Sequence, residues 1–377
     1  MGQRLRFAIV SDPHIALPET IPDHPHRFHL VEVSIPGLEQ ILAHLETLDL
    51  DFLLLPGDLT QDGEWANHHW LIQRLKQLPF PAYVVPGNHD IIACNGTAHT
   101  IGLADFPLLY HGFGYDGPTP YYHQEILSGV HLIGLNSNAF DGQGHQRGVG
   151  HVDHEQLAWL RDLLPQLQDD LVLVMLHHNV LEHLWGQAQS PLGQRYMVEN
   201  RQALIQILNA AQVPLLFTGH LHVQDIARQG SLCEVLTGSL VSYPHPYRVL
   251  EAEWERGGSL RLAVQSHRLE AVAGWDNLQT RSYEWMCDRA GAFMAKFLAA
   301  PPINLSPAEA EVLAPRLSHF WPTIANGDPK FDFAHLPPAV QPILNRFNAV
   351  DGNGQPETID NATTLLWPSR VACPVAG

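Results

Sequence analysis

The chain reads as an α/β protein with mixed sheets and a small helical extension at its C-terminal end. Three features of the 377-residue sequence predict this. Short apolar runs alternate with segments of helical periodicity from Phe7 to Thr218, the pattern of a parallel sheet joined by right-handed crossovers. Short alternating segments separated by glycine turns follow, as in an antiparallel meander. After residue 275 the pattern is helical, punctuated by caps and prolines.

Taken in order, Phe7-Ala8-Ile9-Val10 is the first strand and stops at Ser11-Asp12-Pro13-His14. A loop rich in histidine and proline (His24, His26, His29) precedes a helix with Ser34 as N-cap and apolar positions Ile35, Leu38, Ile41, Leu42, Leu45 and Leu48. Asp51 to Leu55 is a second strand, ending at Pro56-Gly57-Asp58. A helix over about 63–77 leads to a third strand, Tyr83-Val84-Val85, which runs into Pro86-Gly87-Asn88-His89-Asp90. Gly87 is expected to let the backbone turn off the strand. Residues 95–120 read as a long loop, Tyr121 to Leu135 as a hairpin, and Gly142 to Gly150 as a mobile glycine-rich loop carrying Arg147.

Asp153 and Gln156 open a helix as a capping box. Leu171 to Leu176 is an unbroken apolar strand ending at His177-His178-Asn179. A helix near 198–210 precedes strand Pro214 to Thr218, which ends at Gly219-His220-Leu221-His222. Gln224–Arg228, Ser231–Thr237, Arg248–Trp254 and Ser259–Gln265 form the meander. Residues 1–268 therefore read as one domain and 275–349 as a helical extension, with helices opening at Asp276/Gln279 and Ser306-Pro307-Ala308-Glu309 and a third over 338–347. Such an extension could pack on the first domain, close it as a lid, or make a homo-oligomer contact. Residues 350–377 have loop composition and are expected to be an irregular tail.

The net charge of −18 lacks the basic footprint of a nucleic-acid binder. It leaves room for an anionic substrate, because bound cations reverse the local potential. Four scattered cysteines, Cys94, Cys233, Cys287 and Cys373, match neither a zinc knuckle nor a disulfide framework. No apolar run reaches the roughly 20 residues that span a bilayer. No hydrophobic signal segment precedes the first strand, and Arg6 stands where a myristoylation motif carries Ser or Thr, so a cytoplasmic protein is expected.

The 24 histidines outnumber the 21 lysines and arginines, and many fall at strand ends. Asn and Asp after a strand are ordinary turn formers. Five strand ends in β/α register that deliver Asp/His, Asp, Asn/His, His and His/His exceed what turns alone require. The order Asp12-x-His14, Gly57-Asp58, Gly87-Asn88-His89-Asp90, His177, Gly219-His220-x-His222 resembles the calcineurin-like metallophosphoesterase superfamily, over residues 7 to about 265. The short spacings look most like its bacterial cyclic-nucleotide and glycerophosphodiester phosphodiesterase branch.

That resemblance implies a four-layer α/β/β/α sandwich and two metal ions. Asp12, His14 and His222 would hold one ion, Asn88, His177 and His220 the other, with Asp58 bridging. Carboxylate, amide and imidazole donors suit Mn, Fe, Zn or Co. Such a pair activates water for in-line attack on a phosphate ester. Asn88 and His89 would meet the substrate. His89 would protonate the leaving alkoxide or stabilise charge on the phosphate, and Asp90 would fix the His89 tautomer. Asn179 replaces the family's proline, which leaves His178 as a rival to His177. His29 and its loop neighbours could line the substrate mouth or lie on the surface, Arg147 could clamp phosphate or face solvent, and Cys94 reads as a small buried hydrophobe. The implied activity is hydrolysis of a small phosphodiester, a cyclic nucleotide or glycerophosphodiester. A phosphomonoesterase, a nucleotide pyrophosphatase and a non-catalytic scaffold of the same fold are the alternatives.

Overall fold

The computed structural model describes residues 3–368 apart from 22–26, 256–257, 351–353 and 357, so His24, His26 and Cys373 lie outside the described residues. The chain runs β1 (Gln3–Ile9), α1 (Ser34–Leu45), β2 (Phe52–Leu55), α2 (Trp65–Leu75), β3 (Ala82–Val84), α3 (Asp105–Leu109), β4 (Tyr122–Leu127) and β5 (Val130–Gly134). It continues through α4 (His154–Leu163), β6 (Leu171–Met175), α5 (Pro191–Gln194), α6 (Arg201–Ala210), β7 (Leu215–Thr218), β8 (Asp225–Gln229), β9 (Leu232–Leu236), β10 (Pro246–Trp254) and β11 (Leu260–Arg268). The last elements are α7 (Leu278–Ala299), α8 (Pro307–Leu313), α9 (Phe320–Ala325), α10 (Gln341–Leu344) and β12 (Ala362–Trp367).

Two six-stranded mixed sheets, ordered β12-β11-β10-β1-β2-β3 and β4-β5-β6-β7-β9-β8, pack face to face. Strand alternation explains the layering. Leu171, Leu173, Met175, Leu215 and Phe217 point toward the first sheet and share its core, while Val172, Val174, Leu176 and Leu216 pack with Leu157, Leu160, Leu204 and Leu208 of α4 and α6. Phe7 of β1 stacks on Phe52 at 4.8 Å and meets Phe217 edge-on at 5.6 Å, joining the two sheets. The apolar faces of α1 and α2 complete the outer layer of the first sheet. The result is the α/β/β/α sandwich, with each fully buried Leu or Phe contributing about 1.5–3 kcal/mol.

Several local expectations are corrected. The four segments after residue 224 are not one meander. β8 and β9 pair with each other and join the second sheet, with β9 parallel to β7, whereas β10 and β11 belong to the first. Arg248 of β10 is fully buried and staples the sheets, donating to Leu236 O of β9 at 2.8 Å and Ser266 Oγ of β11 at 3.0 Å. The tail is not irregular throughout, because β12 adds antiparallel to β11. Ser34 lies inside α1 rather than capping it, and its Oγ accepts from Ala16 N at 3.3 Å. Asp276 and Gln279 do not cap α7, whose N-cap is Asn277; Gln279 instead donates to Pro244 O and Leu269 O. The Ser306/Glu309 capping box forms, and Asp153 caps α4 by accepting from Gln156 N.

The helices after residue 277 dock on the sandwich. Met286, Ala290, Met294 and Leu298 of α7 pack with α8, α9 and Leu221, Val223 and Leu236. Among the described residues no helix is long and apolar enough to cross a membrane.

Candidate metal centre

Every signature block leaves the carboxyl end of a strand of the two central layers, as crossover topology requires. The backbone there is unusual. Asp12 (φ 48°), His14 (43°), Asp58 (47°), His220 (70°) and His222 (58°) all occupy the left-handed region. Non-glycine residues enter it at a cost of about 1–3 kcal/mol each, and such strain concentrates at functional sites. Gly87 is needed for a reason other than the expected turn. Its φ is not positive; a Cβ there would overlap the backbone nitrogen and Oδ1 of Asp58.

Two clusters of ligand atoms share Asp58, one of Asp12, His14, Asp58 and His222, the other of Asp58, His177 and His220, and a third group, His14, His29 and His222, overlaps the first, with all ligand atoms of each within 4.8 Å of one another. Asn88 joins the second, its Oδ1 3.1 Å from His177 Nε2. That same Nε2 lies 3.1 Å from His220 Nδ1 and 3.2 Å from Asp58 Oδ2. One ring N–H cannot satisfy three such neighbours.

The outward nitrogens settle which atoms face inward. His177 Nδ1 is 2.9 Å from Pro56 O and His220 Nε2 is 3.2 Å from Arg195 O. A carbonyl only accepts, so those nitrogens carry the protons and the opposite nitrogens turn lone pairs toward the cluster. Burial pulls His14 and His220 well below the ordinary imidazole range, which keeps them neutral donors. His177 is pushed up to about 9: burial opposes its charge, but Asp58 outweighs it. A bound cation would displace that proton. The donor set fits a pair of divalent cations.

A family model described as calcineurin-like phosphoesterase matches residues 5–224. The chain belongs to the calcineurin-like phosphoesterase family. It is 27% identical over 192 residues to a 3′,5′-cyclic-nucleotide phosphodiesterase of Nostoc sp., a match covering 50% of this chain and 62% of that one. It is 24% identical over 297 residues to the 3′,5′-cyclic adenosine monophosphate phosphodiesterase of Haemophilus influenzae, covering 74% and 95%. A probable glycerophosphodiester phosphodiesterase of Arcobacter nitrofigilis is 27% identical over 221 residues, covering 56% and 70%. Among solved structures, a dimetal phosphatase from Danio rerio superposes with a TM-score of 0.51 at 14% identity, over 70% of this chain and 96% of that one, which shows the shared fold.

Within this calcineurin-like phosphoesterase, His89 opens onto the same cavity as Asp58, Asn88, His220 and His222. Its amide donates to Asp58 Oδ1 at 2.8 Å, while Nδ1 lies 2.6 Å from Gln61 O and 3.6 Å from Asp62 Oδ1. Burial disfavours its charge, yet Asp58 and Asp62 push it up to about 9. Asp90 does not orient it as expected. The Asp90 carboxylate accepts from the amides of Leu59 (3.1 Å), Thr60 (2.9 Å) and Gly87 (2.8 Å), tying the Asp58 loop to the Asn88 loop. Burial and the nearby Asp58 raise its pKa to about 7 against those three amides. The tautomer of His89 is fixed by a backbone carbonyl thirty residues from Asp90, which its immediate neighbours do not reveal.

His29, left between mouth and surface by the sequence, comes to the site. It stacks on His14 at 4.9 Å and meets His222 at 4.7 Å, and Ser242 Oγ lies 3.2 Å from its Nδ1 and 3.3 Å from His222 Nδ1. No spacing rule could place it, because its partners His222 and Ser242 lie about two hundred residues away in the chain. His178 turns away from the clusters to Ser137 Oγ at 2.8 Å. Arg147 pairs with Glu199 at 2.9 Å rather than facing the site, and Cys94 is half-buried instead of buried. The glycine-rich loop is tethered, with Gln146 donating to Asn88 O at 2.6 Å and Ile91 O at 3.0 Å. A network absent from the sequence reading lies behind His177. The buried Glu234 accepts from Val180 N (3.1 Å), Leu181 N (2.5 Å) and Thr218 Oγ1 (2.6 Å), and His183 sits 3.2 Å from it and 2.6 Å from Asp225.

Proposed function

We infer that the protein is a phosphodiesterase that hydrolyses a small phosphodiester and depends on two divalent cations. The observation that carries this reading is Asp58, whose carboxylate belongs to both clusters and is so placed to join two ions about 3.5–4 Å apart. Asp12, His14 and His222 would hold one cation and Asn88, His177 and His220 the other, with Asp58 common to both. The oxygen and imidazole donors, without thiolate, suit Mn, Fe, Zn or Co. Bound there, such cations would neutralise phosphoryl charge and activate water as a nucleophile.

The chain's own groups supply the rest. Gln61 O accepts from His89 Nδ1–H, so Nε2 is the atom directed to the ester. With the ring pushed up to about 9 by Asp58 and Asp62 against burial, Nε2–H is available to protonate the departing alkoxide. Asn88, through its amide, sits beside the phosphate. Asp90 acts one step removed as a positioning residue that keeps the two loops in register.

The names of the cyclic-nucleotide and glycerophosphodiester relatives support a diester over a monoester. The test is a panel on manganese-loaded protein: bis-(p-nitrophenyl) phosphate, a cyclic nucleotide, a glycerophosphodiester and p-nitrophenyl phosphate. Diesters turning over at least tenfold faster than the monoester supports the reading. A monoester preference overturns it, and silence on every ester favours a scaffold.

A further inference from the structure

α7 and α9 lie beyond residue 224, where the family match ends, yet they form one wall of the catalytic cavity. The cavity, of about 260 Å³, is floored by Asp58, Asn88 and the histidines. Opposite them stand Met286 and Phe293 of α7 and Trp321 of α9, with Phe28 and Tyr196 at the flanks. The rings form a continuous surface. Phe28 meets Phe293 edge-on at 6.2 Å, Phe293 meets Trp321 at 5.1 Å, and Tyr196 reaches back to His220 at 5.2 Å. The wall is held in place from outside the cavity, since Trp285 Nε1 donates to Arg27 O at 3.1 Å beside Phe28.

We propose that this aromatic wall, supplied largely by the C-terminal helices, binds the organic group of the ester and selects an aromatic, ring-bearing group over a small polyol. The proposal rests on the phosphoester reading of the metal centre. A diester brings one charged and one organic part to the site, and the two sides of this cavity divide accordingly. The floor offers imidazole, amide and carboxylate, and Arg195 and Ser242 add a guanidinium and a hydroxyl to the polar side of the lining. The wall offers mostly ring faces and edges and a thioether, which reward flat apolar groups with stacking and burial, and its polar atoms are the Tyr196 phenol and the Trp321 indole N–H. A glycerol moiety placed against Met286, Phe28 and Phe293 would lose hydration there without gaining hydrogen bonds in return.

The experiment is equilibrium binding of two non-hydrolysable probes, phenylphosphonate and 2-hydroxyethylphosphonate, to manganese-loaded protein by calorimetry. Both carry the same charged head and differ in the organic group. The wild type is expected to bind phenylphosphonate about tenfold more tightly. Phe293→Ala should remove most of that preference and Phe293→Leu a part of it, with the hydroxyethyl probe moving less than twofold. Equal affinities in the wild type, or parallel loss of both probes in both variants, overturns the proposal. Because binding needs no turnover, a protein that prefers the phenyl probe but hydrolyses no diester keeps the wall and loses the phosphodiesterase reading. One that hydrolyses diesters with no preference does the reverse.

Discussion

His89 and Asp58 are joined by a single amide hydrogen bond, and their tasks separate cleanly. His89 belongs to neither cluster, so His89→Ala should leave metal content nearly intact while turnover falls by about 10²–10⁴-fold, the usual contribution of a positioned general acid. Persistent turnover at normal metal content would move the acid role to another group, such as His29, whose ring lies 6.4 Å from that of His89. At this scale the sequence was informative wherever chemistry and turn coincide. Asp12, His14, Asp58, Asn88, His177, His220 and His222 each sit within a few residues of a strand end, and all seven converge. Asp90 was misjudged and His29 left open because their partners lie elsewhere in the chain. The Asp90 carboxylate is claimed by amides of a loop some thirty residues earlier, and His29 meets His14, at a strand end, and the remote His222.

Among the elements, β6, β7 and β9 converge on one buried ion cluster that braces the His177 loop. His183 is pushed up to about 10, because Glu234 and Asp225 outweigh the burial that opposes its charge. A group whose folded pKa exceeds its unfolded value of about 6.5 stabilises the fold fully below that value. The contribution is then lost as pH rises through about 10. Chemical denaturation between pH 6 and 10.5 should therefore show stability declining over the alkaline part of the range. His183→Leu should flatten that decline and cost about 3–5 kcal/mol at pH 7, since Glu234 would be left buried without its counter-charge. An unchanged alkaline slope in the variant would assign the decline to other groups.

The strands themselves were legible because each is an apolar run of the right length between turn residues. Their partition was not. β9 pairs in parallel with β7 across the chain's return, while β10 crosses to the other sheet, and nothing local distinguishes that from a continued meander. β12 was missed for a related reason. Ala362-Thr363-Thr364-Leu365-Leu366-Trp367 is a short edge strand whose existence depends on the free side of β11.

At the scale of the molecule, the C-terminal helices and the metal centre are one construction. Leu221, between the candidate ligands His220 and His222, is 2% exposed and packs in the same apolar cluster as α7, α8 and α9. The extension therefore braces the last signature loop from behind and faces the cavity from in front. The sequence left packing, lid and oligomer contact open for it, since an amphipathic helix shows which face is buried and not against what. The charge of the chain also makes sense at this scale. A net charge of −18 would repel a phosphodiester from the surface, and cations at the strand ends would reverse the potential where it matters.

If one carboxylate serves two metal sites, metal stoichiometry must follow it. Wild-type protein and Asp58→Ala would be reconstituted with manganese, desalted, and assayed by atomic emission alongside circular dichroism to check the fold. About two equivalents per chain in the wild type and loss of both in the folded variant is the result expected from a shared Asp58. Retention of one full equivalent would make Asp58 a terminal ligand of a single site. Retention of two would remove it from the metal centre altogether.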